Sequence, residues 1–441
     1  MSRFYSLSFL ILANITLCGC GQGSPADPYG QGTTPADFSQ LKLSKTVNDP
    51  RVKNELDRLE AEKSLPSQIA ESYRDQTDET SGEPIFKFLR GTDAETVNQA
   101  LADSAHWWNP KSPGRDLLVS AQGQDFLGAW DVQRKAGRNI LLQPKARFPV
   151  DLESGILADP SWTSTIHCLA RAELLEAASQ ARLNNMSEAV TAIAYALAYA
   201  DQLTEVPTLP ARNTAAAIRE ETLLTMRALL RHPQFSAGQL RTLETVIKQT
   251  MQRWPKDTEL WKADRASGLH FLEMIRAGHL ASLLTREEYE AMMASGEFAK
   301  LSSSISRNLT TDQAFYLDAM KDVVASAEKP YYQRAEGLAA ISDALNIAQM
   351  TPQYPTVSGD FLLSGMHAQH ASFSKDRSRM TIWLAAVQAA NGHLPDEMPL
   401  LDFSGKPVAI QEEANQVIAS FEGIPGDLPD LVIPKFGTDQ R

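Results

Sequence analysis

The stretch between Thr163 and Leu203 constrains the fold more strongly than any other part of the sequence. Its apolar side chains recur at every third or fourth position, which is typical of amphipathic helices that bury one face. Asn184 and Asn185 interrupt the pattern, and Ser187 can cap the helix that follows through its hydroxyl group. The stretch therefore predicts two helices joined by a tight turn, an αα-hairpin.

Further helix boundaries follow along the chain. Capping-box sequences stand at 236–239, 285–288 and 310–313. Gly392 follows a helical run at 379–391, where a C-terminal cap glycine belongs. A tetratricopeptide-like period of about 34 residues does not recur downstream. We predict an all-α fold, an irregular array of about ten to twelve amphipathic helices built from αα-hairpins in a solenoid-like or bundle arrangement.

Two regions lack this periodicity. The stretch 136–162 contains several prolines, which predicts an extended connector with at most one short strand. The Pro-rich chain after Gly392 predicts an extended C-terminal segment with one short helix near 412–420. The folded part then divides into an N-terminal helical region with its connector (46–150), a central helical array (151–350) and a C-terminal helix with an extended tail (351–441).

The first seventeen residues have the composition of a secretory signal. Arg3 precedes a fourteen-residue apolar run that is too short to span a bilayer as a helix. The run ends in Leu17-Cys18-Gly19-Cys20, which resembles the bacterial lipobox. Cleavage before Cys18 would place Leu17 where the signal peptidase needs a small side chain, so Cys20 is the better acceptor. We predict a lipoprotein signal peptide at 1–19 and lipidation of Cys20.

An acylated Cys20 would hold the protein on a lipid bilayer, because each buried methylene contributes about 0.8 kcal/mol. Residues 20–45 are rich in Ser, Gly and Pro and predict a flexible tether, with a reach of about 27 Å. Gly21 rather than aspartate follows the acylated position. The resemblance to the lipobox thus implies a lipid-anchored protein of the cell envelope, sorted to the outer membrane and facing the periplasm.

Composition limits the partners. The chain has 54 acidic against 42 basic side chains and a formal net charge of −12, which disfavours nucleic acid as a partner. Cys168 is the only cysteine after Cys20, so the folded part cannot form an internal disulfide. We predict no cofactor, and we predict an envelope protein or peptide as the partner.

Four features in this order resemble a group of helical lipoproteins of planctomycete-type bacteria: the lipobox, "ARFPVD", the Ala-rich stretch 169–203 and the close "HLPDEMPLLDFSGKP". The positions that match the C-terminal motif of that group are Gly392, Pro395, Asp402, Gly405, Lys406 and Pro407. The chain departs from the group in lacking "DPF" before Gly405. The resemblance implies a helical fold and an envelope address, and it transfers no catalytic residue.

Two places are candidates for ligand contact. Trp107 and Trp108 are adjacent at a predicted helix end, and two such rings cannot readily face the same core. One ring can therefore stack on a sugar or peptide, and the alternative is that one ring is core and the other packs under a loop. His270 and Glu273 stand three apart on a predicted helix, where a carboxylate can orient an imidazole base. The alternative is an ordinary polar pair on an exposed helix face.

Other reactive side chains favour structural roles. His367 and His370 also lie three apart, but zinc needs at least three protein ligands, so we predict no metal site and two exposed histidines. His167 precedes Cys168, yet neighbours on a helix point about 100° apart and do not form a nucleophile–base pair. We predict that Cys168 is buried and inert.

The sequence predicts a membrane-tethered helical lipoprotein that acts as a binding or scaffold module in the cell envelope, without enzymatic activity. The alternative is an envelope hydrolase or lyase that acts on polysaccharide or peptidoglycan. That alternative needs Glu273 and Trp107 or Trp108 to converge in one cleft. A deep pocket with two carboxylates and a stacked aromatic ring would favour the enzyme, and a shallow groove between helices would favour the binder.

Replacing Cys20 with serine tests the predicted anchor. The hydroxyl cannot form the thioether, so the C20S chain should incorporate no labelled fatty acid and should keep residues 1–19. Metabolic labelling and mass spectrometry of the amino terminus measure both effects. The matched control, Cys18→Ser, should be acylated and cleaved like the natural sequence. A C20S chain that is still cut at the same bond would refute the assignment.

Overall fold

The computed structural model describes residues 49–76, 94–105, 121–141, 148, 150, 152, 154–284, 286–394, 397–420 and 430–436. The predicted signal peptide, Cys20 and the tether lie outside these residues, as do Trp107 and Trp108. Thr285, the first residue of the second predicted capping box, is outside them as well.

The described chain is predominantly α-helical, which confirms the predicted fold class. Its helices are α1 Pro50–Ala61, α2 Pro66–Gln76, α3 Ala94–Ala105, α4 Ala121–Leu141, α5 Trp162–Arg182, α6 Met186–Glu205, α7 Leu209–Leu229, α8 Ala237–Gln252, α9 Asp257–Arg276, α10 Arg286–Ser295, α11 Glu297–Ser326, α12 Tyr331–Ala348 and α13 Met366–Ala390. Short 3-10 turns stand at Gly155–Leu157 and Leu280–Leu283, and a π-helical turn stands at Val357–Leu362. No helix in the described ranges is both long enough and apolar enough to cross a bilayer.

Local sequence predicted several helix boundaries correctly. Helices α5 and α6 pack closely against each other as the expected αα-hairpin, and the chain turns at 183–185. The cap differs from the prediction, because Asn185 and not Ser187 is the residue before the first turn of α6. The predicted capping box of α8 is confirmed, with Ser236 and Gln239 bonding each other's backbone amides.

The third predicted capping box, at 310–313, is wrong because α11 runs through it without interruption. Asp312 instead caps a neighbouring segment. Its carboxylate accepts hydrogen bonds from the backbone amides of Val357 (2.6 Å) and Ser358 (2.8 Å), at the start of the π-helical turn. Asp312 thus caps the first backbone amides of a turn that is distant in the sequence. Such amides need a hydrogen-bond partner because they are buried.

The predicted connector is also partly wrong. Residues 136–141 complete α4, and residues 155–157 form a 3-10 turn that packs against α9. The short predicted helix near 412–420 is wrong too. That region forms β1 Ala409–Glu412 and β2 Gln416–Ser420, which join β3 Leu431–Pro434 in an antiparallel sheet of order β1-β2-β3.

A period of two explains why the tail forms strands. In β2 the burial alternates, with Val417 and Ala419 fully buried and their neighbours half-buried. Val417 pairs with Ile433 of β3 in the sheet register. The buried face of this small sheet packs on α13, where Ala419 and Ile433 join the hydrophobic core. β-Branched residues in this alternation favour a strand over a helix once a partner surface is present.

Helix α13 takes part in two of the three hydrophobic clusters that form the interior. Its first half, with Phe373, packs with α1, α9, α11 and α12. Its second half, with Met380 and Trp383, packs with α6, α8 and the sheet. The third cluster joins α3 and α4 to α5, α6 and α7. The core therefore continues across the predicted boundary at residue 350.

A buried ion pair joins α13 to α7 between these clusters. Arg219 donates from Nε and Nη2 to the Asp376 carboxylate at 3.0 and 2.7 Å, and from Nη1 to the Thr204 hydroxyl at 2.8 Å. The side chains of Arg219 and Asp376 are 1% and 4% exposed. The Trp254 ring covers the guanidinium, with 4.3 Å between its carbon and the ring centroid. Every nitrogen of this buried cation thus has a partner.

Replacing Asp376 with asparagine tests how much this ion pair stabilises the fold. The variant removes the nearest counter-ion of the buried Arg219 and leaves only the Asp201 carboxylate, 4.0 Å from Nη1, so the free energy of unfolding should fall by about 3 kcal/mol. Urea denaturation measures the change.

The matched control is Glu220→Gln, which removes an ion pair between the same two helices. Glu220 meets Arg379 at 3.4 Å, but the side chains are 52% and 25% exposed, so the loss should stay below about 1 kcal/mol. Equal losses in D376N and E220Q would contradict the proposed importance of burial.

Candidate functional site

The two candidate residues on α9 lie in the interior. His270 and Glu273 are both buried, so the alternative reading of an exposed polar pair is wrong. Burial lowers the pKa of His270 to about 4. Gly155, with φ +53°, presses directly on the His270 ring, and a Cβ at that position would collide with it. The imidazole is thus covered by the 3-10 turn and is closed to a large substrate.

Glu273 is held within a network of polar side chains. Its Oε1 accepts a hydrogen bond from Gln313 Nε2 at 3.4 Å, and its Oε2 lies 3.4 Å from Arg276 Nε. Arg276 in turn donates to the Gln313 amide oxygen. Three side chains from α9 and α11 therefore contact one another and form a polar network that joins the two helices.

The histidines of α13 differ from the prediction that both are exposed. His370 is completely buried and stacks on Trp261, with 3.8 Å between ring centroids. Burial, together with the positive field of Arg334, lowers the pKa of His370 to about 2. His367 contacts a different partner, with its Nε2 lying 2.8 Å from the Tyr331 hydroxyl. Among the described residues no group of His, Cys, Asp and Glu side chains is arranged to hold a metal ion.

The prediction for Cys168 is confirmed. The thiol is buried, its Sγ lies 3.5 Å from the Val97 carbonyl oxygen, and burial raises its pKa to about 12. His167 points elsewhere, with Nε2 3.2 Å from the Glu221 carboxylate. Since a thiol of this kind stays protonated, it has no nucleophilic character at neutral pH.

The structure places a concave surface between α13 and the chain that follows it. We call it the α13 groove. It has a cavity volume of about 540 Å³, and it is lined by Met251, Glu328, Pro330, Tyr332, Arg377, Thr381, Leu384, Ala385, Gln388, Glu397, Pro399, Leu400 and Asp402. None of the residues singled out as ligand or catalytic candidates from sequence lines it in the described part of the chain.

One face of α13 forms the floor of this groove. Arg377, Thr381, Leu384 and Gln388 recur at intervals of three or four, so their side chains share a single helix face. The end of α8 contributes Met251 beside them. The floor is therefore an apolar strip that has a cation at one end and an amide at the other.

The opposite wall is the turn at 400–407, which belongs to the "DFSGKP" sequence. Ser374 donates a hydrogen bond to the Asp402 carboxylate, and the backbone amide of Phe403 donates to the Ser378 hydroxyl oxygen at 3.0 Å. Gly405 has φ +68° and packs on the Tyr332 ring, so a side chain at this position would meet both strain and a collision. Bonds from α13 and contact with α12 thus hold the turn in place.

The charge of the groove is unevenly distributed. Glu328 and Glu397 are exposed at the rim, whereas Asp402 is half-buried on the wall. Burial raises the pKa of Asp402, against the opposing effects of the Ser374 hydrogen bond and the Arg377 charge. Three carboxylates face one guanidinium, so the groove favours a ligand that carries positive charge or hydrogen-bond donors.

Sequence reasoning missed this site, although part of its pattern was visible. Asp402 and Gly405 were noted in the close of the chain, but nothing in their spacing shows that they meet Ser374 and Ser378 of α13. Glu328 comes from the turn after α11, and its place at the rim depends on how α12 packs on α13. The groove combines segments that are distant in sequence, and only their packing brings them together.

Comparison of this chain with protein-family models, with curated proteins and with solved structures finds no match. What the α13 groove does must therefore be argued from its own geometry.

Replacing His370 with phenylalanine tests the effect of the buried imidazole on acid stability. An unfolded histidine gains a proton below its ordinary pKa of 6.5, whereas the folded His370 stays neutral, so the protein loses stability as the pH falls. Between pH 7 and pH 5 this one group costs about 2 kcal/mol. Phenylalanine keeps a ring against Trp261 and removes the titration, so H370F should lose about 2 kcal/mol less over that interval.

Urea denaturation at the two pH values measures this difference. The control is Leu384→Met on the same helix, which removes no titratable group and should therefore leave the pH dependence close to that of the natural sequence. An H370F protein with an unchanged pH dependence would show that His370 is not the group that resists protonation.

Proposed function

We propose that this protein is a lipid-tethered binding module of the cell envelope, and that the α13 groove holds a segment of another envelope protein or peptide. The observation that carries the proposal is the groove itself. It joins an apolar floor on α13 to a polar rim, which is the usual composition of a protein-binding surface.

The exposure of the groove supports binding of a chain segment. Leu400 is 55% exposed and Tyr332 is 37% exposed, and both lie on its lining. A large apolar side chain held at the surface beside a concavity is typical of an interaction site. A partner segment that lies in the groove would cover both residues and would remove their apolar surface from water.

The proposed location rests on the lipobox at the start of the sequence. An acyl chain on Cys20 and a tether over 20–45 would place the helical body near the outer membrane and would let it stand clear of the lipid headgroups. A binding module on such a tether meets its partner at a high effective concentration, because both are confined to one surface. This arrangement favours a scaffold role.

A second function is favoured by one observation at the same site. Asp402 is a half-buried carboxyl group with a raised pKa, and two further carboxylates line the same groove. Pairs of acids in different environments are how glycosidases divide acid and base roles. The alternative function is thus an envelope hydrolase or lyase for polysaccharide or peptidoglycan. It would use Asp402 and not the buried Glu273.

A photo-crosslinking amino acid at position 400 tests the binding function in intact cells. If the groove holds a partner, Leu400 should crosslink to one protein at near-stoichiometric yield, which mass spectrometry identifies. The matched control is position 183, because Leu183 is 63% exposed but does not line the groove. It should give no such product.

A blocking variant connects the crosslink to the groove. Gln388→Trp places a bulky ring on the floor and should abolish the crosslink from position 400 while the helical content stays unchanged in circular dichroism. A crosslink that survives Q388W, or equal yields from positions 400 and 183, would contradict the proposed function. Retention of glycan fragments, with loss of their cleavage in Asp402→Asn, would favour the enzyme instead.

A further inference from the structure

We infer that the occupant of the α13 groove is an extended peptide segment in which basic and apolar side chains alternate. This inference rests on the proposed function, and it specifies the chemistry of the partner. Three observations carry it: the excess of negative charge in the lining, the apolar strip of the floor and the rigid hold on the wall that carries Asp402.

Among the described residues, the lining of the groove carries more negative than positive side chains. In the described part of the chain, Glu328 and Glu397 take part in no ion pair, although both are exposed beside the cavity. Asp402 bonds Ser374, which is neutral, and Arg377 is the single cation of the lining. Three carboxylates around one guanidinium leave an excess of two negative charges, which is complementary to lysine or arginine side chains.

The floor between these charges is apolar. Leu384 of α13 and Met251 of α8 line the floor, and both are partly buried residues that pack on the core around α13. Leu400 extends this strip at the wall. A multivalent metal ion or a free polyamine would leave the strip in contact with water, whereas leucine-sized side chains of a peptide would cover it. The charge and the strip together favour a peptide over a small cation.

The wall that carries Asp402 is held in place before any ligand binds. The Tyr332 amide donates to the Asp402 carbonyl oxygen at 3.2 Å, and the Tyr331 ring stacks on Phe403 with 5.1 Å between centroids. Serines of α13 hold the same turn from the other side. A prearranged wall lowers the ordering cost of binding, so a short segment can bind without a large interface.

The apolar side chains of an extended segment can face the floor while its alternate side chains reach the rim, because successive side chains of an extended chain point to opposite sides. In a helix the side chains that share a face recur every three or four positions, so strictly alternating basic and apolar residues would not separate onto two faces. The apolar strip of the floor and the carboxylates of the rim thus match the alternating side chains of an extended segment.

Fluorescence anisotropy with labelled synthetic peptides tests the inference on the full chain purified in neutral detergent. The probe is a short peptide of alternating Lys and Leu. One comparison peptide has Glu in place of Lys, and the other has Ser in place of Leu. We expect binding of the Lys-Leu peptide, with both comparison peptides at least about fivefold weaker.

Paired variants place the binding at the rim. The double variant Glu328→Gln with Glu397→Gln should lower the affinity for the Lys-Leu peptide about fivefold. It should also reduce the salt dependence of that affinity. The matched control is Glu188→Gln with Glu287→Gln, which removes two exposed carboxylates of α6 and α10 outside the groove and should change the affinity less than about twofold. Thermal melts confirm that both pairs are folded.

The outcomes separate this inference from the function on which it rests. If the Glu-Leu peptide binds as tightly as the Lys-Leu peptide, or if both pairs of variants lose the same affinity, the inference that the segment is basic is wrong. If the Lys-Ser peptide binds as tightly as the Lys-Leu peptide, the apolar strip does not contribute to binding. If the crosslink from position 400 persists in E328Q/E397Q at full yield, the binding function stands and the inferred chemistry fails. If the natural chain gives no crosslink, the function itself fails.

Discussion

Arg219 and Asp376 lie 157 positions apart in the sequence, and their ion pair fixes the place of α13 in the fold. Both side chains are almost fully removed from water, where a charge is tolerated only with a partner at hydrogen-bond distance. Thr204, Trp254 and the Asp201 carboxylate, 4.0 Å from Nη1, also surround the guanidinium. Apolar packing alone allows helices to slide past one another, but a bidentate pair has one geometry. Together with the apolar packing of α13, the pair therefore favours one register of α13 against α7.

The α13 groove depends on that register. The same helix presents Asp376 to the interior and, one residue later, Arg377 to the groove. Ser374 and Ser378 of the same helix hold the turn that carries Asp402. A second buried pair, Arg334 with Asp257, ties α12 to α9 beneath the same wall. The floor, the wall and the rim of the groove thus all depend on the position of α13. Because buried contacts fix that position, the groove keeps a defined shape although its rim is charged and exposed.

The parts of the fold that could be predicted are those whose physical cause is local. Neighbouring residues determine both the turn at Asn184 and Asn185 and the capping box at Ser236. Both were predicted correctly. The tail was misread because helix and strand patterns are hard to separate in short apolar runs, and the surface of α13 selects the strand. His370 could not be placed, since an isolated histidine carries no sign of whether Trp261 will cover it.

By itself the sequence determined that the folded chain is an α-helical array with an acidic body, because hydrophobic periodicity and net charge are properties of neighbouring residues and of composition. It also contains the lipobox-like segment at 17–20, from which the envelope location is proposed. Only the tertiary structure decided that the tail closes against α13 as a sheet, that His270 and Glu273 are interior, and that a groove forms beside Asp402. These features join residues that are not neighbours in the sequence, and their energies arise from burial and pairing, which a local sequence pattern does not contain.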